Sequence, residues 1–287
     1  MKNKMIHILS QRVLNVPLAI HPKKAEVILS SLSERFNIGQ LNHQAISFDY
    51  DEHDEEDPRS SKKPYEVIKG VAIIPIYGTL VQKLGTLEPY SGMTGYDGIR
   101  INFLNAMHDS DVKAICLDID SPGGEVAGCF DLVDCIYSYK GTKPVWSILS
   151  ENAFSAAYAI ASAADKITVP RSGGVGSIGV ITLHCDYSER INKDGLNVTI
   201  INFGDRKADG NPYEKLGEQA KKNIQSDIDE LGQLFVGTVA RNRNLNCDVV
   251  ISTQAGCYMG HHGVSIGLAD AVLSPNEAFQ KLLQEIN

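Results

Sequence analysis

The chain has 287 residues, of which 43% are hydrophobic and 22% are charged, as is typical of soluble globular proteins. Its net charge of −8 argues against a nucleic-acid-binding protein, because phosphate neutralisation requires a basic surface. No apolar run approaches the roughly 20 residues that a membrane-spanning helix needs. The first twelve residues lack the apolar core and the cleavage site of a signal peptide.

The six cysteines are scattered at positions 116, 129, 135, 185, 247 and 257, and no two of them form a C-x-x-C pair. We therefore expect no metal site, no disulfide framework and no cofactor, and a cytoplasmic location in a reducing compartment.

The first 64 residues differ in pattern from the rest of the chain. Residues 22–36 carry apolar side chains at helical spacing, which predicts an amphipathic helix within an N-terminal arm, residues 1–48. Residues 49–64 form an acidic block followed by a polar, proline-bounded patch, which is typical of a disordered linker. We expect the folded domain to comprise residues 65–287.

In that domain, apolar strand-like runs alternate with segments of helical spacing. The predicted strands are 67–76 (interrupted at Gly70 and Pro75), 114–119, 145–149, 167–169, 178–183 and 198–202. The predicted helices are 96–107, 125–139, a segment after Asn152, 187–193 and 213–244, and residues 263–273 predict a short helix leading into a closing strand. This alternation predicts an α/β fold with a mainly parallel, buried sheet.

Ser155 is the candidate nucleophile, placed in the first turn of the small-residue helix after strand 145–149. The first backbone N–H groups of a helix have no partner within the helix and favour developing negative charge. A serine at this position is suited to attack a carbonyl whose oxygen is held by neighbouring amides. The alternative is that Ser155 is only a helix cap or a small packing residue.

Two glycine-rich turns accompany this serine. Ser121-Pro-Gly-Gly124 follows a predicted buried strand, and its glycines expose backbone amides. This segment is either one half of an oxyanion hole or an ordinary strand-to-helix turn. Gly174–Gly179 matches G-x-G-x-x-G, but a strand rather than a helix is predicted after it, so we interpret it as a tight turn carrying a buried Ser177.

A serine nucleophile also needs a base. His184, His261 and His262 are available, although no local motif ties any of them to Ser155. The other candidate is Lys207, in a loop after the predicted strand 198–202, because a desolvated lysine can accept the serine proton. A solvated loop charge is the alternative for Lys207.

Together these motifs resemble the signal-peptide-peptidase-A family of serine proteases, which share the ClpP/crotonase fold, and within it the head-maturation proteases of lambda-like tailed phages. The resembling segments are Pro17–Pro22, Gly78–Leu80, Pro89–Tyr96, Asp120–Gly124, Ser155–Ala157, Gly176–Gly179, Lys207–Tyr213 and Gly267–Asp270. They follow one another in order over most of the chain. One departure is that many cellular members have Ser-Gly-Gly where this chain has Ser155-Ala-Ala157.

The resemblance implies a serine endopeptidase with a Ser-Lys dyad. In it Ser155 is the nucleophile and Lys207 the general base, Ser177 holds the lysine amine, and the amides of Gly124 and Ala156 form the oxyanion hole. It further implies a homo-oligomer that cleaves capsid scaffold or portal-type proteins in a phage procapsid or in the bacterial host cytoplasm. We expect substrate to bind as an extended strand.

Two other classes of protein stay open at this point. One is a catalytically silent capsid-assembly protein of the same fold, and the other is a crotonase-type acyl-CoA enzyme that uses the same pair of amides.

Overall fold

The computed structural model of this chain describes residues 14–35, 63–83 and 92–286. The strands are β1 Leu18–Ile20, β2 Glu66–Ile68, β3 Val71–Tyr77, β4 Thr79–Val81, β5 Met93–Gly95, β6 Ala114–Ser121, β7 Gly123–Glu125, β8 Val145–Phe154, β9 Lys166–Val169, β10 Gly174–Gly176, β11 Cys257–Met259 and β12 Ala271–Val272. The helices are α1 Pro22–Arg35, α2 Tyr96–His108, α3 Cys129–Ser138, α4 Ala156–Ser162, α5 Ser188–Lys193, α6 Glu218–Arg243, α7 Cys247–Ser252, α8 Gly260–Ser265 and α9 Pro275–Glu285.

The larger sheet has the strand order β11-β10-β8-β6-β3-β2, and its four inner strands, β10, β8, β6 and β3, run parallel to one another. The two outermost strands, β2 and β11, are antiparallel. The ten-residue β8 has two neighbours on one side: its first half pairs with β9, and its last three residues pair with β10. The predicted α/β fold with a mainly parallel sheet is therefore confirmed.

A smaller sheet has the order β1-β7-β4-β5. Strand β1 comes from the segment predicted to be an N-terminal arm, and it pairs antiparallel with β7, more than one hundred residues later in the chain. The predicted amphipathic helix follows β1 directly as α1. Most of the predicted linker lies outside the described residues, so the domain boundaries stay predictions.

Helices cover both faces of the larger sheet. Ile115, Leu117 and Ile119 of β6 pack into the main core with α2, α3, α4 and α6, whereas Ala114 and Cys116 face a second cluster that includes Leu282 of α9. Because both faces are buried, the strands read as continuous apolar runs rather than as alternating patterns.

Helix α4 lies at the centre of this packing, and each of its seven residues is buried. Four of the seven residues are alanines, which let neighbouring backbones approach closely. None of the helices in the described ranges is long and apolar enough to cross a membrane.

Several local predictions were wrong. Pro75 does not interrupt β3, because β2 pairs only with residues 71–73 and Pro75 needs no donor on that side. The predicted helix 125–139 begins only at Cys129, after strand β7. Residues 178–183 form only isolated bridges, at Ile181 and Leu183. Residues 198–202 form no strand and are largely exposed.

Candidate active site

Ser155 lies at the sharp turn between β8 and α4, as the residue before the helix rather than in its first turn. Its φ of 55° and ψ of −121° are costly for a residue with a side chain, by about 1–3 kcal/mol. A strained strand-to-helix turn that presents a serine is the arrangement of a nucleophile elbow. The side chain is buried, and its Oγ donates a 3.4 Å hydrogen bond to the Gly179 carbonyl.

The Pro-Gly-Gly turn lies directly against this elbow. A methyl carbon placed on Gly123 would lie 2.9 Å from the Phe154 carbonyl oxygen and 3.0 Å from the Ala156 amide nitrogen. One placed on Gly124 would lie 1.8 Å from the Leu80 carbonyl oxygen of β4. Both positions therefore require glycine, and the backbone of β7 is held beside the first amide of α4.

Ser177 is a close neighbour of Ser155. Gly176 pairs with Phe154 in the parallel β8–β10 ladder, and the Ser155 amide donates a 2.8 Å hydrogen bond to the Gly176 carbonyl. The two serines therefore follow the last residues of adjacent strands. Ser177 is buried and also has a positive φ, of 56°.

A cysteine borders Ser177 on its other side. Burial raises the pKa of the Cys257 thiol, and a hydrogen bond with the Ser177 side chain acts in the opposite direction. The Ser177 amide donates a 2.8 Å hydrogen bond to the Gly256 carbonyl, so β11 and its preceding turn hold this serine in place.

Lys207 is not part of this buried cluster. It lies in an exposed run of turns, its amide donates to the Gly204 carbonyl, and no described residue forms a hydrogen bond or an ion pair with its ammonium group. Two large apolar side chains nearby are also in solvent: Ile201 is 94% exposed and Phe203 is 100% exposed.

None of the three candidate histidines forms a hydrogen bond with Ser155. His184 lies near Asn15, with 3.2 Å between its Nδ1 and the side-chain oxygen, and His261 and His262 are exposed on α8. In the described ranges, the Ser155 hydroxyl has the Gly179 carbonyl as its hydrogen-bond partner and no basic side chain. Those ranges also contain no group of three His, Cys, Asp or Glu residues able to hold a metal ion.

The strand that lies across this site is not among the strands predicted from the sequence. Residues 15–21 pass between β7 and residues 181–183, and the His21 ring lies 5.1 Å from the Phe154 ring, next to Ser155. The available signal was the Pro17–Pro22 motif, which was part of the family resemblance but carried no structural prediction.

Comparison of the sequence with known protein families identifies the family of this chain. Residues 138–287 match the model of peptidase family S49, a range that includes Ser155, Ser177 and Lys207. The chain belongs to peptidase family S49, and the predicted family is confirmed. The match covers about half of the chain and does not include β1 or β7.

Individual relatives extend the similarity over the whole chain. It is 36% identical to the head-tail preconnector protein GP5 of Enterobacteria phage P21 over 295 aligned residues, which cover 100% of this chain and 59% of the phage protein. It is 36% identical to the capsid assembly protease C of Escherichia phage lambda, over 95% of this chain and 64% of that protein.

A cellular relative is a putative signal peptide peptidase SppA of Enterococcus faecium, 29% identical over 64% of this chain. The chain spans about 60% of the length of the two phage relatives.

Proposed function

We propose that this chain is a serine endopeptidase that acts in phage or prophage capsid maturation. The observation that carries the proposal is the strained, buried turn at Ser155, with the amides of β7 and Ala156 beside it. The phage relatives support a capsid role, because one is named a capsid assembly protease and the other a head-tail preconnector.

In the proposed mechanism, the Ser155 hydroxyl attacks the scissile carbonyl and the Gly124 and Ala156 amides stabilise the tetrahedral oxyanion. The amine leaving group departs with a proton, and water then hydrolyses the acyl-enzyme. Lys207 is the proposed general base in both steps, and Ser177 is the proposed partner that positions its amine. No cofactor takes part.

The exposure of Lys207 adds a requirement to this proposal. A lysine serves as a general base where it is shielded from solvent, so the proposal requires that the Lys207 segment be covered. Phe203 and Ile201 in the same segment are the kind of apolar surface that a protein buries against a partner. We therefore propose a homo-oligomer in which this segment is covered.

The proposed substrates are scaffold or portal-type capsid proteins, and the proposed place of action is the procapsid or the cytoplasm of the bacterial host. Cleavage of purified procapsid proteins, followed by gel electrophoresis and mass spectrometry, tests the substrate class. If Ser155 reacts with a serine-directed probe but the procapsid proteins stay uncleaved, the capsid role is contradicted. The assignment as a serine hydrolase would still stand.

The dyad is tested with four variants of the full chain, using a fluorophosphonate probe and a peptide substrate. Ser155→Ala is expected to lose both labelling and cleavage, and Lys207→Met to lose cleavage. His184→Gln and His262→Gln serve as controls and are expected to stay active. If Lys207→Met cleaves the peptide and one of the histidine variants does not, that histidine rather than Lys207 is the general base. Retained cleavage by Ser155→Ala would remove the nucleophile assignment.

A further inference from the structure

The chain places one of its own segments against the candidate active site. On one side, β1 pairs antiparallel with β7, and this pairing is extended by hydrogen bonds from the His21 amide to the Pro122 carbonyl, 2.8 Å, and from the Val126 amide to the Pro17 carbonyl, 3.4 Å.

On the other side, the segment pairs with residues 181–183. Leu18 and Ile181 exchange two backbone hydrogen bonds, of 2.8 and 2.9 Å, and the Asn15 amide donates to the Leu183 carbonyl at 2.9 Å. Residues 15–21 therefore lie as an extended strand in a groove with a backbone wall on each side.

The register of this strand brings one carbonyl to the amides proposed for the oxyanion hole. Hydrogen-bonded pairs alternate along an antiparallel ladder, and the bonds at His21 and Pro17 make Ala19 and Gly124 the intervening hydrogen-bonded pair. The Gly124 amide thus faces the Ala19 carbonyl.

The close approach at Gly123 supports this placement. A methyl carbon on Gly123 would lie 2.3 Å from the Ala19 carbonyl oxygen and 3.0 Å from the Ala156 amide nitrogen. The Ala19 carbonyl therefore lies beside both proposed oxyanion-hole amides, as the carbonyl of a bound substrate would.

The side chains of the segment show what this groove accommodates. Leu18 and Ile20 are nearly fully buried and form a small cluster with Ala25, to which Ile181 is packed. Ala19 points the other way, is fully buried and joins the main core. The groove accommodates a small residue opposite Gly124, flanked by two branched aliphatic residues.

We infer that residues 17–21 are a resident, substrate-like occupant of the substrate-binding groove, an inference that rests on the proposed function. A peptide that presents its scissile carbonyl to Gly124 and Ala156 needs the same backbone partners on β7, so the segment must leave before a protein substrate binds. The groove thus selects extended segments with a small residue such as alanine on the acyl side of the cut bond and branched aliphatic neighbours.

The test uses the full chain with Leu18→Asp and, separately, Ile20→Asp, since a buried unpaired carboxylate drives the strand out of the groove. Val27→Asp is the matched control, because Val27 lies on the adjacent α1 and is 56% exposed. We expect the fluorophosphonate labelling rate of Ser155 to rise at least tenfold in the first two variants and to match wild type in the third. A synthetic peptide of residues 15–22 should reverse the rise, and a scrambled peptide should not.

Equal labelling of Ser155 in wild type and in both folded aspartate variants would overturn the inference while leaving the nucleophile in place. Absence of Ser155 labelling in every variant would overturn the proposed function and the inference together. Cleavage of the chain between Ala19 and Ile20 would make the segment a substrate rather than a resident occupant, and would also overturn the inference.

A second measurement uses the wild-type chain and therefore does not depend on the folding of a variant. Acetyl-Pro-Leu-boroalanine, a peptide boronate that reproduces the sequence of residues 17–19, is added to the wild-type chain, and hydrogen exchange is followed by mass spectrometry. Binding is expected to remove the exchange protection of the Leu18, Ala19 and His21 amides. Covalent attachment to Ser155 with that protection intact would show that the segment and the ligand occupy different places.

Discussion

Ser155 and Ser177 follow the last residues of two adjacent parallel strands, and both have φ values near 55°. Each residue leaves its strand by a strained turn, so the two hydroxyls are fixed by backbone geometry rather than by side-chain packing alone. This relationship allows the roles of the two serines to be separated.

Replacement of Ser155 tests the strain. Ser155→Ala is expected to be inactive and about as stable as wild type. Ser155→Gly is expected to be inactive but more stable than the alanine variant by about 1 kcal/mol, because glycine adopts a positive φ without a steric cost. Urea unfolding of the two variants measures the difference, and equal stability would show that the turn stores no strain.

Replacement of Ser177 tests a positioning role. Ser177→Ala is expected to lower kcat about 10²-fold with little change in KM, and to shift the pH profile, since its proposed partner is the catalytic amine. Cys257→Ala removes the other neighbour of Ser177 and is the control, expected to retain activity. A KM effect without any change in the pH profile would assign Ser177 a purely structural role.

Two glycine-to-alanine substitutions compare Gly124, which packs against the backbone of β4, with Gly232, which has no close neighbour. Gly124→Ala is expected to be inactive and destabilised by several kcal/mol, because its methyl group would overlap the Leu80 carbonyl of β4. Gly232→Ala, in α6 with nothing within 4 Å, is expected to gain about 1 kcal/mol of stability. Thermal unfolding and peptide cleavage provide both readouts, and a stable, active Gly124→Ala would contradict the site geometry.

The exposed apolar segment beside Lys207 predicts a link between assembly and activity. Phe203→Asp is expected to shift the proposed oligomer to monomer in analytical ultracentrifugation and to abolish cleavage. Ile101→Asp, an equally charged change at a 57% exposed position on α2, is the control and should alter neither property. An active monomer would show that Lys207 is desolvated within one chain or is not the base.

His21 predicts a dependence of stability on pH. Burial, and secondarily the charge of Lys23, lower the pKa of His21 below its ordinary value of 6.5. The folded state therefore binds its proton less readily than the unfolded state, and the stability contribution present above pH 6.5 is lost as the pH falls below that value. The free energy of unfolding, measured in urea, should fall with decreasing pH more steeply for wild type than for His21→Gln. Parallel curves at all pH values would contradict this linkage.

Long apolar segments made most of the fold predictable. Strands β6 and β8 carry continuous buried runs, and α2 and α6 extend over three or more turns, so their patterns are unambiguous. The turn at Ser155 was also predictable, because a buried strand is followed at once by a run of alanines. Its exact conformation was not, since the spacing gives no information on φ.

Short elements were not predictable. β1 and β7 have three residues each, too few to show periodicity, and they pair across a long stretch of sequence. Conversely, residues 198–202 have a strand-like composition but form no strand with any of the residues that the structure describes. The exposure of Lys207 was not predictable either, because a lysine in an irregular loop carries no periodicity that would show whether it is buried.

The seating of Leu18–Ile20 against β7 has a consequence for how the chain can be divided. A fragment beginning at Tyr65 would leave the open margin of β7 with unpaired amides and carbonyls, flanked by apolar pockets that Leu18 and Ile20 had filled. Such margins recruit strands from other molecules. If such a truncated protein aggregated, the cause would be the β7 edge that the truncation exposes.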